Sequence, residues 1–174
     1  VKNPCWRGDM DRLFAPWRGE YIRSSINESG CIFCEKPREN KDRENLILFK
    51  NEKIFVIMNK FPYNSGHLMI VPIKHTADMA ELTDEEMLLL FRFTDYSIRI
   101  LKDKYAAQGI NVGMNLGRVA GAGVDQHLHI HVVPRYNGDT NFMPLISETK
   151  VISEHLERTY EELIGEFDKL KKGV

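Results

Sequence analysis

Residues 125–135 read Asp125-Gln126-His127-Leu128-His129-Ile130-His131-Val132-Val133-Pro134-Arg135. Histidine recurs at every second position, and Leu128, Ile130 and Val132 alternate with it. A strand sends successive side chains to opposite faces. A strand here therefore places three imidazoles on one face and three aliphatic groups in the core. Half of the chain's 6 histidines fall in this one segment; the others are His67, His75 and His155. Imidazole near neutral pH serves as nucleophile, proton donor or metal ligand. A row of three offers one nucleophile with a neighbour on each side to orient it and handle protons. The rival readings are a solvent-facing histidine-rich strand and a metal-binding tract. The latter needs a further acidic or Cys ligand close in space.

At 174 residues the chain is long enough for one domain with a real core and short for two. The expected organisation is one α+β unit over 1–174, with an arm at 1–30, a catalytic core at 31–136, and a loop and helix at 137–174. Hydrophobic residues make up 43% and charged residues 28%, as in globular proteins generally. A net charge of −1 provides no basic field for nucleic acid, so no nucleic-acid partner is expected. No apolar run approaches a membrane span, and no secretory pattern opens the sequence, so no membrane partner is expected. The 3 cysteines, Cys5, Cys31 and Cys34, are too few and uneven for a disulfide framework, and point to a reducing, cytoplasmic setting.

Upstream of the histidines, Ile110 to Leu116 alternates as a strand, with Asn111, Gly113 and Asn115 on one face. The small-residue loop from Gly117 to Gly123 joins it to the row, which makes the two strands a hairpin. Gly121, Ala122 and Gly123 let backbone N–H groups approach phosphate oxygens. Arg118 in this loop is either a phosphate contact or a solvated charge. Further upstream, Leu82-Thr83-Asp84-Glu85-Glu86 carries a capping box and opens the longest helix, expected to stop near Gly109. Leu46 to Phe49 and Ile54 to Met58 read as a hairpin, and Leu68 to Pro72 as a short buried strand. The turn-rich loop between them carries Asn59 and Asn64, placed for ribose or phosphate hydrogen bonds or for ordinary Asx turns. Cys31-Ile32-Phe33-Cys34 is a redox pair or half of a zinc site. A charged loop with Pro37 follows it rather than a long helix, which favours metal, with histidines supplying the other two ligands. Residues 152–172 read as an amphipathic helix. The arm with Trp6 and Trp17 packs on its own domain or across a dimer partner.

His127-Leu128-His129-Ile130-His131-Val132-Val133 resembles the histidine triad motif, His-φ-His-φ-His-φ-φ. The likeness extends to Cys31–Cys34, to Asn59 through Pro72, to the Asn115 hairpin and to Pro134-Arg135. The arm and the loop after Gly138 resemble the branch that includes bacterial diadenosine tetraphosphate phosphorylases. The resemblance implies a five-stranded antiparallel sheet with two main helices, paired as a homodimer. It also implies nucleotide chemistry, in which His129 attacks an α-phosphorus and forms a nucleotidyl-histidine. His131 then bonds the phosphate or leaving-group oxygen, and His127 orients the row. Asn59 matches the ribose-binding position, and Phe55 and Ile57 match a base slot. Some members bind structural zinc through residues matching Cys31, Cys34, His75 and His127, with His67 then supporting the triad. The chain departs from the dinucleoside polyphosphate hydrolases at Gly123, where they carry Gln. It also lacks the Ser that phosphorylase relatives carry near that position. Water and phosphate therefore both stand as acceptors, and a nucleotide-binding module without activity is the third reading.

Overall fold

Continuous apolar runs in the sequence, Ile54 to Met58 and Leu68 to Pro72, produce strands that are buried on both faces. A computed structural model describes residues 30–139 and 155–171 of the chain. Five strands, β1 (Ile47–Lys50), β2 (Ile54–Met58), β3 (Leu68–Pro72), β4 (Gly109–Gly113) and β5 (Ile130–Arg135), form one sheet in the order β1-β2-β3-β5-β4. Every neighbouring pair is antiparallel. Among the described residues three α-helices accompany it: a single turn α1 (Ile32–Glu35), α2 (Asp84–Tyr105) and α3 (Leu156–Lys171). The arm residues before Gly30, and most of the loop after Gly138, lie outside the described residues.

The strand alternation sorts side chains into two clusters. Leu48, Ile54, Val56, Leu68, Ile70, Ile130 and Val132 pack with Leu90, Phe93 and Leu101 of α2 and with Tyr160, Leu163 and Phe167 of α3. This is the main core. Ile47, Phe55, Ile57, Met69 and Val71 point to the other face, where Phe33 of α1 covers them. Met69 pairs directly with His131 across β3 and β5, so the histidine row belongs to this second face.

The capping box at Thr83 and Glu86 starts α2 as the sequence requires, with Thr83 Oγ1 accepting from the Glu86 amide and the Glu86 carboxylate accepting from the Thr83 amide. The helix ends at Tyr105, earlier than Gly109. Ala106 takes the left-handed conformation with φ 48°, and Gly109 instead begins β4. Three further expectations are corrected. The histidine strand is shorter than the alternation suggests, because β3 pairing stops at Ile130 and β4 pairing at His131. Upstream, the Leu128 amide donates to Thr76 O at 2.7 Å instead of to a strand neighbour. Asn115 lies beyond β4, since that strand's pairing ends at Gly113. The charged loop after Cys34 is more ordered at its start than expected: α1 ends at Glu35 and a 3-10 turn follows over Lys36–Arg38, with Pro37 inside it, before turns lead to β1.

Candidate active site and metal centre

His127, His129 and His131 are all buried. His127 and His129 enter from the extended segment before β5, and His131 stands on the strand itself. The environment of each ring fixes which nitrogen carries the proton. Nδ1 of His129 lies 2.9 Å from the carbonyl oxygen of His127. A carbonyl only accepts, so Nδ1 is the protonated atom and Nε2 keeps its lone pair. Burial holds the His129 pKa below its ordinary value, with the His127 carbonyl opposing that shift. The ring is therefore neutral at pH 7, with one bare nitrogen.

His131 is set by a longer chain of donors. The Tyr63 amide donates to His67 Nδ1 at 3.0 Å. The Asn59 side chain accepts from the Phe61 amide through Oδ1 and turns its NH2 toward the same His67 nitrogen at 3.4 Å. His67 Nδ1 is thus an acceptor, and the proton sits on Nε2, which lies 2.9 Å from His131 Nδ1. His131 must then carry its own proton on Nε2. That atom is buried and has no partner among the described residues. Burial, with help from His129 alongside, lowers the His131 pKa to about 4. The row so presents a bare nitrogen on His129 next to an unpartnered N–H on His131, with ring centroids 4.8 Å apart.

His127 faces a different group. Its Nε2 lies 2.8 Å from Pro72 O, which makes Nε2 the donor and leaves Nδ1 bare. That nitrogen lies 3.3 Å from Cys31 Sγ, 3.6 Å from Cys34 Sγ and 3.3 Å from His75 Nδ1. Cys34 Sγ lies 3.2 Å from His75 Nδ1. All four ligand atoms fall within 4.8 Å of one another. A tetrahedral ion with zinc–nitrogen and zinc–sulfur bonds of about 2.0–2.3 Å separates its ligands by roughly 3.3–3.8 Å. The two-Cys, two-His set therefore fits zinc in both donor type and spacing. Burial and the neighbouring Cys31 push the Cys34 thiol pKa up.

The remaining predicted residues divide. Asn59 is half-buried beside His67. Phe55 is fully buried in the second cluster, 6.3 Å from the Phe33 ring. Gly121 and Gly123 are exposed, Ala122 is buried, and Asn115 is half-buried. The amides of Ala120, Gly121 and Ala122 are bonded to Gly117 and Arg118 carbonyls within the loop's own turn. Arg118 pairs with Asp125 at 3.4 Å. Asn64 is a structural residue: it is buried, and its NH2 donates to Pro134 O at 3.0 Å and to Asp139 at 2.8 Å. Sequence reasoning passed over Phe33 and Tyr63. Phe33 packs 5.0 Å from His129 and 5.5 Å from His127. Its place between the two cysteines was the available signal. Tyr63, four residues before His67, stacks on His131 and lies tilted against His67.

Comparison with known proteins agrees with this geometry. Residues 40–138 match the HIT domain family. The chain is 38% identical to the AP-4-A phosphorylase of Mycobacterium tuberculosis over 161 residues, covering 88% of this chain and 82% of that protein. It is 34% identical to a bis(5'-adenosyl)-triphosphatase of Saccharomyces cerevisiae over 91 residues, covering 52% of this chain and 44% of that one. In fold it is similar to a Zn-bound histidine triad family protein from Mycobacterium smegmatis, with a TM-score of 0.65 and 23% identity, covering 86% of this chain and 99% of that chain.

Proposed function

Because the chain belongs to the HIT family, we propose that it is an enzyme that cleaves phosphoanhydride or phosphoramidate bonds of adenine nucleotides, including dinucleotides, through a nucleotidyl-histidine on His129. The observation that carries this reading is the proton pattern of the row. The bare Nε2 of His129 attacks the α-phosphorus, a nitrogen–phosphorus bond forms and the bond to the leaving oxygen, or to the leaving nitrogen of a phosphoramidate, breaks. The leaving group takes the electron pair, with the His131 Nε2–H bonding its oxygen. The imidazolium left on His129 keeps its Nδ1–H against the His127 carbonyl, which favours the positive charge. An acceptor then displaces the histidine and releases the nucleotide, so one difficult displacement becomes two easier ones. Asn59 binds the ribose, and Asn115 and the loop of Gly121, Ala122 and Gly123 border the phosphates. Phe55 and Ile57, under Phe33, form the floor of the base slot. A binding module would need no nucleophile with its lone pair held free.

The similarity to AP-4-A phosphorylase favours inorganic phosphate over water as the acceptor. Incubation with diadenosine tetraphosphate, with and without phosphate, tests this. ADP and ATP forming only when phosphate is present support the phosphorylase. AMP and ATP forming without phosphate support a hydrolase. No turnover of this substrate or of an adenosine phosphoramidate overturns the enzyme reading.

Cys31, Cys34, His75 and His127 would hold structural zinc, which when bound ties the segment before β1 to the row and lends rigidity rather than reactivity. We also read the protein as a homodimer. β4 is an edge strand, and Val112 on it is 47% exposed, with Leu116 just beyond at 53%. Edge strands with exposed apolar side chains call for a partner. Among the described residues no helix is long and apolar enough to cross a membrane.

A further inference from the structure

Tyr63 is an aromatic residue with 46% of its surface exposed, yet it lies against two buried histidines, His67 and His131. Its ring centroid is 4.7 Å from that of His67 at 33° and 5.8 Å from that of His131 at 29°. The pair with His131 is stacked and the pair with His67 tilted, both at centroid distances where aromatic pairs attract. Its own amide is the closer of the two donors on His67 Nδ1. One residue therefore holds both the hydrogen bond that begins the chain of protons and the ring that covers it.

We propose that Tyr63 is a positioning residue for the leaving-group side of the reaction, its amide fixing the tautomers of His67 and His131 and its ring shielding the pair from water. The inference rests on the reading of His129 as nucleophile and His131 as the leaving-group donor. A hydrogen-bonded imidazole pair has two neutral arrangements. In one, His67 gives its Nε2 proton to His131 Nδ1, and His131 presents Nε2–H. In the other, the protons are reversed, and His131 presents a lone pair that repels a phosphate oxygen. A backbone N–H cannot accept a proton, so the Tyr63 amide removes the second arrangement. Water reaching the pair would offer donors and acceptors to either nitrogen and would favour protonation of both rings. The stacked ring keeps it out.

The groups around His131 are few. His129 lies beside it on the same segment, and His67 and Tyr63 come from the loop before β3. Its partners on β3 and β4, Met69 and Gly113, carry no charge. None of these neighbours among the described residues is an acid, and the shield and the tautomer chain bear on its state.

Two readouts test this. The first is the nitrogen-15 NMR of the histidines in the intact chain, with no substrate. In the wild type, His131 should show a protonated Nε2 and a bare Nδ1. In Tyr63→Ala, which keeps the amide and loses the ring, Nε2 should remain the protonated atom, while His131 should titrate closer to the ordinary histidine range. The second is steady-state turnover of diadenosine tetraphosphate with inorganic phosphate. Tyr63→Ala should lower kcat by about tenfold or more with KM within about threefold, and should move the acid limb of the kcat profile up. Tyr63→Phe, which keeps ring and amide, should stay within about threefold of wild type. If Tyr63→Ala fails to fold, Tyr63→Leu replaces it, because it keeps bulk without a stacking face. An unchanged kcat and pH profile in the ring-less variant overturns the proposal. So does a rise in KM alone, or an Nδ1-protonated His131 in the wild type. Full turnover by His129→Ala would instead overturn the reading of the nucleophile, and the NMR result would stand apart from it.

Discussion

Acid should destabilise this protein through His131, and the size of the effect follows from its burial. The folded pKa is lowered from 6.5 to about 4, chiefly because only 9% of the residue reaches solvent, and secondarily because His129 lies alongside. Between those two values the unfolded chain binds a proton that the folded chain refuses. The contribution of His131 to stability is therefore complete above about pH 6.5 and is lost progressively as the pH falls toward 4. At pH 4.5 the linkage comes to about 2.6 kcal/mol. Screening at the solvent-facing edge leaves about 2 kcal/mol. The perturbation that isolates this is His131→Asn, which still accepts the His67 proton through its side-chain carbonyl but does not titrate. Urea unfolding of both chains at pH 7.5 and pH 4.5 gives the comparison, and titrations elsewhere in the molecule cancel to first order. The wild type should lose about 2 kcal/mol more than the variant over that interval. Equal losses in the two chains would refute the argument that His131 is kept neutral by its surroundings.

Cys34→Ser should remove zinc from the purified protein, read by elemental analysis, and lower its melting temperature; a fully loaded variant, or a metal-free and equally stable wild type, contradicts the four-ligand centre. Asn64→Ala deletes one buried and one part-buried hydrogen bond that join the loop before β3 to the end of β5 and the turn after it, and should cost about 2–3 kcal/mol in urea unfolding. Thr83→Ala removes the α2 capping box and should cost about 1 kcal/mol, with activity unchanged.

The fold was legible wherever one side-chain period ran without interruption. The apolar run from Leu68 to Pro72 and the alternation through His129 to Val132 marked strands whose two faces serve two different clusters. The capping box gave the start of α2 to the residue. Its end was less legible, because Ala106 rather than a glycine takes the left-handed turn. The extent of β5 could not be read either. Alternation sets which way side chains point, but pairing depends on where neighbouring strands run out, and here the Thr76 carbonyl captures the Leu128 amide. In the site, spacing marks the row and the two cysteines, while the resemblance supplied His75 and His127 as their partners. What no spacing shows is the proton pattern. It depends on two main-chain groups, the His127 carbonyl and the Tyr63 amide, which every residue type possesses.

The central claim is that His129 becomes covalently nucleotidylated. The most direct measurement is intact mass and peptide mapping of the protein mixed with diadenosine tetraphosphate and quenched in alkali, where a phosphorus–nitrogen bond to histidine survives. An added adenylate mapping to His129, and absent from His129→Ala, is the predicted result. Product formation without any adduct, or an adduct on another residue, would contradict the account.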